Sequence, residues 1–318
     1  MRTIALGTTG LSISPIGLGG VGLTAMPRVA DAMALLAHAC DLGITHFDTA
    51  RSYGAGFSEE ILGTFARDRR DRVTIATKFG LDPPALVVGN RRFVAAVKRG
   101  LRLVPAIDRR VRQRLAASTP AGYQYGPEKC RASLERSLTV LGTDYVDLFF
   151  LHNGHRSDAE QDDLIDTAIR LRDEGKIRAF GISAPIAYVG EDLDTLPEIY
   201  QVAQGDHGVV GGSRWKNDDG RGIIAFATQN RLRPLTEALA AQPEAVRLWS
   251  DRVGENLADP QAVARLLVEA ALDANPMGGA LVGTRNLDHL ATAAAAAQGK
   301  ATPPQLAAFR TMAAELLR

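Results

Sequence analysis

Short β-prone runs, predominantly apolar, recur along this chain at residues 16–20, 44–47, 73–77, 146–151, 177–182, 200–203, 222–226 and 279–282, with helical stretches between most of them. That recurrence decides what the chain can fold into. Strands apolar on both faces belong to a parallel sheet covered by crossover helices. Eight such units close naturally into a barrel. The expectation is an α/β fold, a single (β/α)8 TIM barrel. Helices are expected at 29–42, at 58–66 behind a Ser58-Glu59-Glu60 cap, and at 127–140 from Pro127. Four more are expected at 160–174, 260–274, 287–297 and 303–317. Residues 2–14 read as a β-hairpin turning at Thr8-Thr9-Gly10. An open doubly wound sheet needs a glycine-rich phosphate loop after its first strand. Gly17-Leu-Gly-Gly-Val-Gly22 comes near that spacing but misses the fingerprint.

No linker or composition break divides residues 1–318, so one barrel domain is expected over the whole chain, with residues 79–126 as a long insertion after the third barrel strand. Apolar residues make up 46% and charged residues 23%, an ordinary globular balance. A net charge of +1 gives no pull toward nucleic acid or an acidic membrane surface. Cys40 and Cys130 both fall in helical segments and read as packing residues of a reducing compartment. Met1-Arg-Thr-Ile-Ala-Leu6 is not a leader's apolar core. No run approaches the ~18 apolar residues of a membrane span. A cytoplasmic protein is expected. Its oligomeric state is not written in the sequence.

In a barrel of this kind, working residues stand at the C-terminal ends of the strands. Those ends carry Asp48, with Tyr53 on the Gly-bounded loop behind it, then Lys78, then His152. An ammonium held by a carboxylate beside a phenol lowers a pKa that is normally ~10. The phenol can then give its proton to a carbonyl oxygen as charge builds there. A neutral imidazole supplies a second hydrogen bond to that oxygen. No acyl-transfer nucleophile and no metal-ligand set accompanies them.

Phe47-Asp-Thr-Ala-Arg-Ser-Tyr-Gly54, Ala76-Thr-Lys-Phe79, Tyr145-Val-Asp-Leu-Phe-Phe-Leu-His152, Gly181-Ile-Ser183 and Leu281-Val-Gly-Thr-Arg-Asn286, in this order, resemble the successive signatures of the aldo-keto reductase superfamily. The resemblance covers most of the chain. It implies reversible reduction of a small carbonyl substrate, or oxidation of the alcohol, by hydride from a nicotinamide cofactor. Tyr53 would be the general acid–base, tuned by Lys78 and Asp48, with His152 positioning the carbonyl. Ser183 and Gln201 would bind the carboxamide, and Phe226 would stack on the nicotinamide ring. Gly283, Thr284, Arg285 and Asn286 match the segment that holds the adenosine phosphate. Arg285 suits a 2′-phosphate, which points to NADP, with NAD as the alternative.

The chain departs from the pattern at Ala184, where relatives carry Asn, and at Thr292-Ala293, where they carry a Glu-Asn pair that contacts adenine. These departures keep a second reading open: a cofactor-binding regulatory protein with little turnover. A third, a phosphate-binding barrel isomerase or lyase, would need no nicotinamide. Between Arg91 and Arg114 the insertion carries many basic residues against Asp108 alone. It reads either as a basic wall that favours an anionic substrate or as a solvated helical excursion. The Gly- and Asp-rich segment 207–221 reads as a loop able to fold over a ligand.

Overall fold

Eight parallel strands hydrogen-bond edge to edge in a closed ring, in a computed structural model that describes residues 1–81, 124–208, 210 and 212–317. They are β3 (Ile16–Gly19), β4 (His46–Asp48), β5 (Thr74–Phe79), β6 (Val146–His152), β7 (Ile177–Ser183), β8 (Tyr200–Gly205), β9 (Gly222–Ala225) and β10 (Gly279–Val282). The ring runs in sequence order, and β10 closes on β3 through Ala280–Ile16, Leu281–Gly17 and Val282–Leu18. All the expected strands form, in the expected order. Ahead of them β1 (Ile4–Ala5) and β2 (Ser12–Ile13) pair antiparallel as the expected hairpin. Leu6 and Ile13 of this hairpin are fully buried against the barrel interior, forming its floor.

Alternation along each strand sorts the core into two populations. Leu18, Phe47, Ile75, Phe149, Phe180 and Val282 face the surrounding helices. Ala76, Leu148, Phe150, Val202, Ile224 and Leu281 face inward. Two residues beyond the inward set, on the same face of each strand, the chain carries Lys78, His152, Gln204, Phe226 and Gly283. Asp48 and Ser183 follow in the same way from His46 and Gly181. The barrel is therefore apolar below and polar at its C-terminal mouth, and the change occurs within one residue pair.

The expected helices form as Val29–Asp41, Phe57–Ala66, Pro127–Leu141, Asp162–Asp173, Pro260–Asp273, Leu287–Ala296 and Pro303–Leu316. Two more, Leu232–Ala240 and Pro243–Val253, occupy a stretch with no sequence expectation. They pack with the last helices around Leu235, Val253, Leu267 and Phe309. Ser58 does not cap its helix, which begins one residue earlier behind Gly56 at φ 87°. It is buried instead, accepting from Thr49 Oγ1 at 2.8 Å and donating to the Gly20 carbonyl. The 207–221 segment is tied down in its described residues. Trp215 is buried and donates Nε1–H to Gly190 O at 2.9 Å, and the Arg221 guanidinium donates to the carbonyls of Leu196, Pro197 and Tyr200.

Of the insertion, Phe79 belongs to β5, and residues 82–123, with all the basic positions between Arg91 and Arg114, lie outside the described residues. Its described ends meet: Gln124 N–H donates to Gly80 O at 3.1 Å.

The inward glycine of β7 shows how tightly the interior is closed. A Cβ on Gly181 would lie 2.2 Å from Val202 O and 2.7 Å from the Phe150 ring. Neither can move without breaking the ladder or the core, so Gly181→Ala should lower stability by about 1–3 kcal/mol or more, read as a lower urea midpoint at unchanged m-value.

Candidate functional site

The Lys78 ammonium lies among three oxygens at the barrel mouth: Asp48 Oδ1 at 2.5 Å, Asp48 Oδ2 at 2.6 Å and Thr49 O at 2.9 Å. Both side chains are almost fully buried. Burial pulls the Lys78 pKa down, but Asp48, together with Tyr53, outweighs it and holds the lysine pKa above its ordinary value. Asp48 accepts a further bond from Gln204 Nε2 at 2.8 Å, and Gln204 Oε1 accepts from the Ser183 hydroxyl. A continuous chain of polar contacts therefore crosses the mouth from β7 to β5. Asp48, Lys78, His152 and Ser183 stand in the last two positions of their strands rather than after them.

Tyr53 reaches this pair from the loop behind β4. Lys78 Nζ lies 5.0 Å from the centre of its ring. His152 stands across it, ring centres 6.0 Å apart at 82°. The loop is held at its base by a buried ion pair, Arg51 with Glu59 at 3.5 Å, and Glu59 also accepts from Thr77 Oγ1 at 2.7 Å. Thr77 is the neighbour of Lys78, so the loop bearing the phenol and the strand bearing the ammonium share one anchor.

The electrostatics correct one expectation. Burial pushes the Tyr53 phenol up, and Lys78, which pulls it down, does not reverse the direction. At neutral pH Tyr53 carries its proton. Burial, with Lys78 nearby, holds the His152 pKa down at about 3, so the imidazole is neutral, as expected. His46, beneath Asp48, is also neutral by burial, with its pKa at about 4, and neither ring nitrogen has a hydrogen-bond partner.

Above these groups opens a cavity of about 370 Å³ lined by Asp48, Tyr53, His152, Ser183, Gln204, Phe226 and Gly283, among others. Gly19 and Gly283 stand on adjacent strands at its rim, and a Cβ on Gly283 would meet nothing within 4 Å. The open glycine edge, the paired hydroxyl and amide of Ser183 and Gln204, and the Phe226 ring suit a flat, amide-bearing heterocycle. A nicotinamide cofactor fits this donor set.

Gln201 does not take part. The pairing of β7 and β8 slips there, Phe180 facing Tyr200 and Gly181 facing Val202, so that Gln201 is the extra residue of an irregularity. Its side-chain oxygen is buried without a partner. Gln204, three residues on, takes the position expected of it. Strand alternation counted back from Gly205 marks Gln204, whereas counting forward from Tyr200 misleads. Thr284, Arg285 and Asn286 extend the rim beyond Gly283 rather than lining the cavity. Thr284 O and the Arg285 side chain approach Gly22, and exposed Arg285 reaches Ala25 O. Asn286 is the helix cap, its Oδ1 accepting from Asp288 and His289. Ala184 and Ala293 are buried and offer a ligand nothing. Asn153 and Ala227, both lining the cavity, and Ala55 behind Tyr53 are the non-glycine residues at positive φ among those described. Sequence reading had singled out none of the three.

Among the described residues no three His, Cys, Asp or Glu side chains are grouped to hold a metal, and no helix is long and apolar enough to cross a membrane.

The sequence model of the aldo/keto reductase family matches residues 15–203. This stretch holds Asp48, Tyr53, Lys78, His152 and Ser183 and stops just short of Gln204. The oxidoreductase YqkF of Bacillus subtilis, itself uncharacterized, is 33% identical over 186 residues, 58% of this chain and 49% of that protein. Pyridoxal 4-dehydrogenase of Microbacterium luteolum is 31% identical over 197 residues, 56% and 54% of the two chains. The matches thus span about half the length of these relatives. A crystal structure of a Pseudomonas aeruginosa protein, described as a putative aldo-keto reductase, superposes over 99% of this chain and 95% of its own, with a TM-score of 0.60 and 25% identity.

The two neutral histidines make stability depend on pH. In the unfolded chain each binds a proton below its unperturbed value of ~6.5, and in the folded chain only near about 4 for His46 and about 3 for His152. The unfolded state therefore takes up more protons across that window, and stability falls as pH falls through it. From pH 7 to 5.5 the pair should remove about 2 kcal/mol, measured by urea unfolding. The proton spectrum of the folded protein should show both rings still neutral at pH 5.5.

Proposed function

The chain belongs to the aldo/keto reductase family, and we propose that it is an NAD(P)H-dependent reductase of a small aldehyde or ketone, working reversibly on the corresponding alcohol, with Tyr53 as general acid–base. The observation that carries this reading is the Lys78 ammonium, pinned by Asp48 and Thr49 directly beside the Tyr53 phenol.

A bound nicotinamide cofactor would supply the hydride. Ser183 and Gln204 would hold its carboxamide, Phe226 its ring, and the rim from Gly283 to Arg285 its phosphates. The chain's own residues account for the proton. As negative charge develops on a carbonyl oxygen between Tyr53 and His152, the phenol, protonated at neutral pH, donates to it. The phenolate left behind faces the Lys78 charge at close range and in a site shielded from water, where that attraction is strongest. Neutral His152 has one ring N–H to offer the same oxygen and no positive charge to compete for the transferred proton. Asp48 keeps Lys78 charged, and Gln204 keeps Asp48 in place. In the oxidative direction the same groups take the proton back from an alcohol. The name of one relative, a pyridoxal dehydrogenase, supports including that direction.

Cofactor choice rests on Arg285. It is an exposed guanidinium at the rim that suits a 2′-phosphate, so NADP is the preferred cofactor, with NAD the alternative.

The first test is titration with NADPH and with NADH by nicotinamide fluorescence, followed by turnover on a panel of aldehydes. Tyr53→Phe should bind cofactor as the unaltered protein does and lose at least about a hundredfold in kcat, the usual share of a general acid. Failure to bind either nucleotide would defeat the reading. Arg285→Ala should weaken NADPH binding about tenfold and leave NADH binding within about twofold, as loss of one charge-assisted contact would. Equal weakening of both would remove the case for NADP.

A further inference from the structure

Tyr125 is the second described residue beyond the stretch 82–123, and its side chain packs into the apolar layer on the outer face of the strands. Its ring is buried and meets Phe79 edge-on, centres 6.4 Å apart at 89°. It lies over Gly80, where a Cβ would come within 2.2 Å of Tyr125 Cε1 and where φ is +103°. Only glycine fits there. The Tyr125 hydroxyl donates to the main-chain carbonyl of His152 at 2.8 Å. His152 is the last residue of β6, and Asn153 follows it at φ 57°, an uncommon conformation for a residue with a side chain. A second bond at this corner runs from Asn153 N–H to Ser183 O at 2.7 Å. One bond comes from each neighbouring side, and together they fix the turn that aims the imidazole at Tyr53.

We propose that Tyr125 is a positioning residue. Through its hydroxyl it sets the His152 backbone, and with it the imidazole, and so ties the point where the insertion rejoins the barrel to the geometry of the site. The consequence for the reaction rests on the reading of His152 as the group that orients the carbonyl. The positioning itself does not.

Tyr125→Phe keeps the ring against Phe79 and Gly80 and removes only the hydroxyl. Three quantities should be measured together: nucleotide affinity by fluorescence, kcat and KM on a reducible aldehyde, and the His152 ring signals in the nucleotide-free protein. The expected result is unchanged NADPH affinity, a fall in kcat/KM of about tenfold, the scale of one hydrogen bond to a positioned group, and displaced His152 signals. A kcat/KM within twofold of the unaltered protein with unmoved His152 signals would overturn the proposal. So would a parallel loss of thermal stability and nucleotide affinity with unmoved His152 signals, which marks Tyr125 as ordinary packing. If the unaltered protein reduces no carbonyl, the functional reading fails, and the ring signals alone decide whether Tyr125 positions His152.

Discussion

The buried ion pair between Lys78 and Asp48 is the interaction on which the site depends. Removing two charges from water costs several kcal/mol per ion, and attraction between them repays this only when the remaining hydrogen-bonding capacity is also met. Here it is met. The ammonium has both carboxylate oxygens and the Thr49 carbonyl, and the carboxylate has Gln204 as well. These partners come from the end of β4 with the residue after it and from β8, while Lys78 stands on β5, so the barrel must close in register before the pair is satisfied. The chemistry of the mouth and the closure of the sheet are therefore one problem. A slip of one residue in β4 or β5 would turn Asp48 or Lys78 out toward the helices.

The same dependence explains the composition of the layer beneath. Gly17 and Gly181 face inward without side chains because His46, Leu281 and Phe150 already occupy the space. His46 is the polar exception among these apolar positions. Its unpartnered nitrogens are a local sacrifice of stability next to the functional layer. Backbone strain is placed in the same region. Ala55, Asn153 and Ala227 adopt left-handed conformations in the loops behind β4, β6 and β9, each of which delivers a residue to the cavity or stands behind one that does.

Much of this was legible in the sequence. Short, predominantly apolar β-prone runs are a strong signal, and all eight strands were found from them. Asp48, Lys78 and His152 were marked because a polar residue at the end of such a run marks a strand's mouth, and Tyr53 because it lies on the Gly-bounded loop behind Asp48, whereas Ser183, Phe226 and Gly283 came from the family resemblance. What failed has identifiable causes. Gln201 was taken from the family resemblance, whereas the structure places Gln204 beside Ser183, past an irregularity in the β7–β8 pairing that nothing local in the sequence marks. The phenol's proton affinity was misjudged because the pull of Lys78 can be read from its presence, whereas burial depends on the whole fold. Helices Leu232–Ala240 and Pro243–Val253 were missed because their apolar residues are sparse and acquire a face only against the final helices. Tyr125 gave no signal, since its role lies in a bond to the backbone of a residue far along the chain.

The meeting of Gly80 and Gln124 has an evolutionary consequence. A segment that departs from a rigid frame and rejoins it at the same point can change length or content without shifting the register of the frame. The frame on either side of that meeting point therefore sets no fixed number of residues between the two positions. The site would feel such changes chiefly at the rejoining point, beside Tyr125 and His152. A lineage could in this way acquire new specificity by exchanging one segment while the proton-transfer apparatus stayed as it was.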